Sequence, residues 1–221
     1  MLFRSTHISE GLGLLAAVIV LLVTFMAVLA MAGGVAAQGQ KPASPAGTAA
    51  TQVGPKFSKW IEISYGRPIL RGRADIFGSG ADYGKKLLAG APIWRAGANV
   101  STRLNTEVPL VIAGKTVPAG EYSVFIETKS EKEWTLVLSS YGALVNPKEP
   151  KPDHLWGAYN YKADKDVVRA PMTVTSSTVQ VDQLTWSFVD VTEKGGSLLI
   201  EWAKTAASVP DRKSTRLNSS H

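Results

Sequence analysis

The strongest constraint on the fold is a two-residue hydrophobic alternation that recurs along most of the chain after its first quarter. In the first such run, Ile61, Ile63 and Tyr65 alternate with Glu62 and Ser64. This alternation gives a strand one buried side and one solvent-facing side. Helical apolar spacing with caps does not extend beyond about two turns in this region. The pattern therefore predicts β-strands rather than helices.

Further runs of the same kind are separated by short segments rich in turn residues. These runs are 110–112, 115–117, 121–128, 134–139, 167–169, 184–188 and 198–202. The turns between them include Pro118-Ala119-Gly120 and Glu193-Lys194-Gly195-Gly196. About eight strands joined mainly by tight turns predict an all-β domain, either an antiparallel β-sandwich or a flattened barrel. Periodicity alone leaves both architectures open.

Two long segments, 66–102 and 141–166, interrupt this pattern. Loops of this length without regular structure are usually either functional or disordered. Both segments contain aromatic residues and charges of both signs, which disordered loops usually lack. We therefore expect any binding residues to lie on these two loops.

The N-terminus predicts export from the cytoplasm. An uncharged, apolar run follows Arg4, and Val35-Ala36-Ala37 near its end fits the small-x-small cleavage rule. This pattern predicts a signal peptide over 1–37, with Gln38 as the new N-terminus. The alternative is an uncleaved inner-membrane anchor at 12–32, because the run approaches the ~20 residues that span a bilayer. Either way we expect a periplasmic or secreted domain.

Composition defines three further segments of the chain. Residues 38–55 are rich in Ala, Gly, Pro, Ser and Thr, which predicts a flexible linker before a β-domain at 56–210. Residues 211–221 show no periodicity, and their codons can match a common short-read sequencing adapter. We interpret this tail as a sequencing artefact and exclude it from the fold.

Charge and residue counts exclude several classes of function. The net charge is +6, and about +4 remains without the leader and the tail, with no clustered Lys/Arg run that would predict nucleic-acid binding. The chain has no cysteine, so disulfides and thiolate metal sites are excluded. His154 is the single histidine between the leader and the tail. No metal and no cofactor is therefore predicted.

Several short phrases, mainly in the two long loops, resemble a known family. They are residues 63–68, 71–73, 75–78, 83–85, 94–99, 118–123 and 156–161. Together they resemble a bacterial exported family known only as domain of unknown function 2911, from about Phe57 to Pro210. The chain departs from the family pattern in two places. Residues 85–91 lengthen the segment that leads to Trp94, and Val100 stands where an acidic residue is frequent in the family. The resemblance implies an exported domain and brings no activity, cofactor or catalytic residue.

Four arginines are the first candidate binding residues: Arg67, Arg71, Arg73 and Arg95. Guanidinium groups bind carboxylate, phosphate or sulfate through two parallel hydrogen bonds. The alternative is structural, because acidic residues lie nearby in sequence and buried Arg–Asp pairs often fix long loops in place.

Aromatic residues and one amide complete the candidate patch: Trp94, Asn99, Trp156, Tyr159 and Tyr161. They can form a platform for a sugar or an apolar ligand. The alternative is a small satellite core beneath a long loop. The binding hypothesis requires the two long loops to meet at one end of the domain.

Two classes of function remain open. The first is a non-catalytic module that binds a small anionic or carbohydrate ligand, or a cell-envelope partner, with membrane contact only through an uncleaved leader. The alternative is a hydrolase of sugar or ester bonds that uses His154 or the carboxylates Glu121, Glu127, Asp190 and Glu201. We prefer binding and assign no catalytic residue, because the chain has no nucleophile-elbow motif and no cluster of metal ligands.

Overall fold

The computed structural model describes residues 44–73 and 75–210. Strands dominate this region, which confirms the prediction of an all-β domain. The predicted signal peptide at 1–37 and the tail at 211–221 lie outside the described residues. Among the residues that are described, no helix is both long and apolar enough to cross a bilayer.

The described region contains eleven strands. They are β1 (Ala46–Val53), β2 (Lys59–Gly66), β3 (Thr102–Thr106), β4 (Leu110–Ile112), β5 (Lys115–Val117), β6 (Gly120–Ser130), β7 (Glu133–Ser139), β8 (Gly142–Ala143), β9 (His154–Leu155), β10 (Asp166–Thr192) and β11 (Gly195–Pro210). The helical elements in the same residues are one turn of α-helix, α1 (Lys85–Leu88), and 3-10 turns at Pro55–Phe57, Gly80–Asp82 and Ala163–Lys165.

Seven strands form one antiparallel sheet in the order β1-β2-β3-β6-β7-β10-β11. The long strand β10 pairs with β7 through its first part, up to Met172, and with β11 through the remainder. Its pairing with β11 shifts register between Ser176 and Val181 and again before Thr185, which marks β-bulges. Strands β4 and β5 form a separate hairpin, and β8 and β9 a short parallel pair.

Hydrogen bonds beyond the end of β2 bring the sheet close to a closed barrel. The Leu70 N–H donates to the Asp182 carbonyl (2.7 Å), and the Leu184 N–H donates to the Pro68 carbonyl (3.0 Å). Because these contacts join the chain after β2 to the middle of β10, the two sides of the sheet approach each other. Of the two architectures predicted from the sequence, the structure is therefore closer to the barrel, with a sheet that is nearly closed.

The inward-facing side chains form the main core, and Trp94 belongs to it. Its side chain is 2% exposed, and its indole lies 5.8 Å from the ring of Trp134 and 6.5 Å from those of Phe77 and Trp202. The prediction that Trp94 forms part of an exposed platform is therefore wrong. Its backbone bridges to Ile126 on β6, which places the indole on the inner side of the sheet.

The prediction of a flexible linker over 38–55 is also wrong for the residues of β1, Ala46–Val53. Strand β1 pairs with β2 along its whole length, from Ala46 opposite Gly66 to Val53 opposite Lys59. Its residues are mainly Ala, Gly and Thr, which give no apolar alternation. Backbone pairing at the edge of the sheet therefore fixes this strand, and composition alone could not reveal it.

Candidate functional site

The two long loops meet on the outer side of β6 and β7. A second, smaller apolar cluster forms there, made of Ala91, Ile93, Phe125, Val137, Tyr141, Leu155 and Ala158. The buried hydroxyl of Ser101 links the loops, because its Oγ lies 2.5 Å from the Gly157 carbonyl and 3.1 Å from the Leu155 carbonyl. The loops therefore meet against the outer face of the sheet, whereas the binding hypothesis placed their meeting at one end of the domain.

Four of the predicted binding residues lie together where the loops meet, and we call Arg95, Asn99, Trp156 and Tyr159 the loop junction. The Arg95 guanidinium lies 5.4 Å from the centre of the Tyr159 ring, and its Nη1 donates to the Asn99 carbonyl (2.6 Å). The Tyr159 N–H donates to the Trp156 carbonyl (3.2 Å). The structure therefore brings these four residues close to one another.

The polar groups of the loop junction are engaged with the protein itself. The Tyr159 hydroxyl donates to the Ala89 carbonyl (2.9 Å), and the Asn99 amide donates to the Ser44 carbonyl (2.9 Å). At Gly157, a Cβ would lie 2.6 Å from Nη1 of Arg95, so the guanidinium packs directly on this glycine. These contacts favour the structural alternative, in which the loop junction holds the loops in place.

Tyr161 packs beside the loop junction but belongs to a charged network. Its hydroxyl donates to the Asp166 carboxylate (2.8 Å), which also accepts a bond from Arg169 (2.8 Å). The second Arg169 nitrogen donates to Glu127 (2.8 Å). Burial raises the pKa of Tyr161, and the bond to Asp166 adds to this effect, so the phenol keeps its proton as a donor. This network fastens the start of β10 to β6.

The other three predicted arginines do not join the loop junction. Arg67 donates to the Leu184 carbonyl (3.2 Å) and the Thr185 hydroxyl (3.1 Å), which reinforces the closure of the barrel. Arg71 lies in an exposed turn with a left-handed backbone (φ 49°). Arg73 lines a separate cleft. Two of the nearby acids pair with lysines, as the Asp75–Lys86 (3.0 Å) and Asp82–Lys85 (2.9 Å) distances show.

The histidine proposed for a hydrolase is held by the backbone. His154 Nδ1 lies 2.7 Å from the Pro152 carbonyl, so this nitrogen carries the proton. The other side of the ring packs against Gly142, where a Cβ would clash with Nε2. The three buried serines of the described region, Ser101, Ser123 and Ser139, direct their hydroxyls to backbone carbonyls. No described serine donates a hydrogen bond to His154.

Two of the four carboxylates proposed for glycoside hydrolysis, Glu121 and Glu127, are also engaged. The Arg103 Nε lies 3.1 Å from Glu121, and this hydrogen bond lowers the pKa of the Glu121 carboxyl. A general acid needs the opposite shift, because it must remain protonated near neutral pH. Glu127 is paired with Arg169. Among the described residues, no group of three or more His, Cys, Asp and Glu side chains could hold a metal ion.

A second candidate site is a concavity between the first long loop, the β6–β7 turn and the β10–β11 ribbon. We call it the cationic cleft. Its volume is about 490 Å³. Its polar lining residues include Arg73, Asp75, Glu131, Lys132, Thr175, Ser176, Gln180, Lys204 and Thr205. Phe77 and Tyr83 contribute a nearly buried aromatic floor, with ring centroids 6.1 Å apart and planes inclined by 15°.

Three cations of this cleft have no carboxylate partner within 4.0 Å among the described residues: Arg73, Lys132 and Lys204. Arg73 donates to the carbonyls of Ile69 (2.7 Å) and Leu70 (3.0 Å), and its guanidinium lies 5.9 Å from the Trp202 ring. Backbone oxygens and a ring thus position this charge without neutralising it.

Two acids line the same cleft. The Asp75 carboxylate is paired with Lys86 (3.0 Å), whereas Glu131 lies in the exposed β6–β7 turn. Three unneutralised cations therefore face a single unpaired carboxylate. This excess of positive charge, beside hydroxyl groups and an aromatic floor, suits an anionic organic molecule.

Sequence reasoning identified only Arg73 among the residues that line the cationic cleft. Lys132 and Lys204 come from segments that are far apart in the chain and carry no motif. The polar run from Thr173 to Thr178, inside a strand that shifts register at Ser176, was the one available signal. Bulges of this kind are frequent next to functional sites.

Comparisons with known proteins give one match. Residues 44–210 match the family described as protein of unknown function, DUF2911. No curated protein and no solved structure matches the chain.

Proposed function

This chain belongs to the DUF2911 family, and we propose that its domain is an exported, non-catalytic module that binds a small anionic organic molecule in the cationic cleft. The observation that carries the proposal is the set of three cations, Arg73, Lys132 and Lys204, that border one concavity without carboxylate partners. The leader predicted from the sequence supports the assignment to the periplasm or the exterior.

The shape of the cationic cleft limits the size of the ligand. Its volume of about 490 Å³ lies within the range of small-molecule sites. The aromatic floor of Phe77 and Tyr83 fits the face of a ring, and the hydroxyls of Thr175, Ser176 and Thr205 can bond to polar substituents. A monosaccharide that carries a carboxylate or a phosphate combines these features.

The loop junction is the weaker candidate for the same function. Arg95, Asn99 and Tyr159 already direct polar groups to protein partners. A ligand at that position would have to replace these bonds, which costs free energy before any binding is gained. A ligand that binds Lys132 and Lys204 in the cationic cleft would not have to replace such bonds, because both lysines face solvent.

The proposal is tested by thermal unfolding of the exported protein with matched pairs of ligands. Glucuronate and glucose 6-phosphate are each compared with neutral glucose at the same concentration and ionic strength. A bound anion at one hundred times its Kd stabilises the folded state by about 2.7 kcal/mol. For a domain of this size we expect a rise in melting temperature of roughly 5–10 °C.

We expect only the anionic members to stabilise the protein, and added salt to reduce the effect by screening. Equal stabilisation by glucose would contradict the charge-based proposal. Failure of every anionic sugar and of small dicarboxylates at millimolar concentration would remove the cationic cleft as a binding site.

A further inference from the structure

The turn between β1 and β2 exposes two large aromatic side chains among lysines. Phe57 is 44% exposed and Trp60 is 49% exposed, although they lie only three positions apart. Lys56 and Lys59 beside them are also exposed. We call these four residues the hairpin tip. Large apolar side chains scattered singly on a surface are ordinary, but an aromatic pair flanked by lysines in one turn is a specific combination.

We propose that the hairpin tip is a contact element for the surface of a bilayer that contains anionic phospholipid. Trp and other aromatic side chains favour the interfacial zone of a membrane, where an apolar body and a polar edge are both accommodated. Lysines next to them are attracted to anionic headgroups. The inference is independent of the cationic cleft, because none of these four residues lines it.

The fold holds the hairpin tip in a defined conformation. Lys56 and Phe57 both have left-handed backbones (φ 56° and 52°), which non-glycine residues adopt at a cost. Two bonds to Glu193 offset this cost, since its carbonyl accepts from the Gly54 N–H (2.8 Å) and its carboxylate accepts from the Lys56 N–H (3.0 Å). A positioned turn loses little entropy when it contacts a surface.

The second aromatic residue is also positioned by the backbone. The Trp60 N–H donates to the Glu107 carboxylate (2.8 Å), and the Glu107 N–H donates to the Trp60 carbonyl (3.0 Å). Trp60 lies opposite Gln52 in the register and next to the buried Ile61, so its side chain points away from the core. Both aromatic rings are therefore held outward by contacts beneath them.

The exposed lysines of the hairpin tip supply its attraction to anionic lipid. Lys194 in the neighbouring β10–β11 turn adds a third exposed lysine. Three acids lie nearby: Glu107 and Glu193 each direct a carboxylate oxygen to a backbone N–H of the tip, and Glu62 is exposed two positions after Trp60. Each lysine near an anionic membrane strengthens binding by roughly fivefold, so the contact is weak and reversible. The sequence predicted membrane contact only through an uncleaved leader, and the hairpin tip is a separate element.

The absence of cysteine from the chain allows a direct test, because a single introduced thiol takes one fluorescent label. An environment-sensitive dye is attached to Ser58→Cys in the exported protein, between the two aromatic residues. The matched control carries the dye at Val145→Cys, where the side chain is 86% exposed and lies on the second long loop. Vesicles of phosphatidylcholine alone are compared with vesicles that also contain phosphatidylglycerol.

We expect a blue shift and quenching by lipid-borne quenchers at position 58 with the anionic vesicles, and none at position 145. The variants Phe57→Ser/Trp60→Ser and Lys56→Glu/Lys59→Glu, labelled at position 58, should each reduce the apparent partition coefficient at least tenfold. Their melting temperatures serve as the folding control, because all four side chains are exposed. If the N-terminal leader is retained, it is present in both labelled proteins. It therefore cannot cause a difference between the dye at position 58 and the dye at position 145.

Three results would overturn the proposal. The first is an unchanged spectrum at position 58 in the presence of anionic vesicles. The second is an equal blue shift at positions 58 and 145, which would exclude a specific contact by the hairpin tip. The third is a blue shift that appears without vesicles and rises with protein concentration, which would assign the hairpin tip to contact with a second copy of the chain.

Discussion

Replacing Trp94 with alanine is expected to lower the free energy of unfolding by about 3–5 kcal/mol, the usual cost of removing a fully buried large aromatic side chain. The indole is 2% exposed and packs among the rings of Phe77, Trp134 and Trp202. Its loss would leave a cavity that these rigid rings cannot fill. For a domain of this size the melting temperature should fall by roughly 10 °C or more.

The matched control for this substitution is Trp60→Ala. Trp60 is 49% exposed and has no aromatic ring contact among the described residues, so its removal should cost at most about 1 kcal/mol. Denaturant unfolding measures both variants on one scale. If Trp94→Ala unfolds at the same denaturant concentration as the unmodified protein, Trp94 is not a core residue and our account of the first long loop is wrong.

Reversing two charges of the cationic cleft is expected to weaken binding of an anionic ligand by at least one hundredfold. In the variant Lys132→Glu/Lys204→Glu, two attractions become repulsions, and each change corresponds to roughly a tenfold loss, or about 1.4 kcal/mol. Both lysines are exposed and neither has an ion-pair partner within the described residues. The stability of the domain should therefore change little, and calorimetric titration should show the loss directly.

Two controls separate a local effect from a general one. Lys148→Glu/Lys151→Glu makes the same change in net charge at exposed positions of the second long loop, and should leave affinity within about twofold because of screening over distance. Arg95→Ala removes the central cation of the loop junction and should also retain binding. If Lys148→Glu/Lys151→Glu loses as much affinity as Lys132→Glu/Lys204→Glu, the ligand responds to net charge and has no defined site in the cationic cleft.

Alternating strands could be predicted from the sequence, whereas the edge strand and the buried tryptophan of a loop could not. The run from Ile61 to Tyr65 specifies β2, because one face must be buried. Strand β1 has small residues, and only its register with β2 defines it. Trp94 lies in a segment without periodicity, and its burial depends on packing against the rings of Phe77, Trp134 and Trp202, which other parts of the chain contribute.

The positions of side chains in the candidate site could likewise be predicted from the sequence only in part. Sequence reasoning expected the two loops to meet, and the contacts between Ser101 and residues 155–157 show that they do. It could not show that Arg67 turns toward β10 while Arg73 turns toward the cationic cleft. It also missed Lys132 and Lys204, because the β6–β7 turn and β11 are far apart in the chain and only the folded structure brings them to one cleft.

The most direct test of the proposed function is a titration of the ¹⁵N-labelled protein with the anion that stabilises it most, followed by amide chemical shifts. The account predicts that the largest shifts occur at Arg73, Lys132, Thr175, Ser176 and Lys204, which line the cationic cleft. Shifts concentrated instead at Arg95, Trp156 and Tyr159 would place the ligand at the loop junction and contradict it.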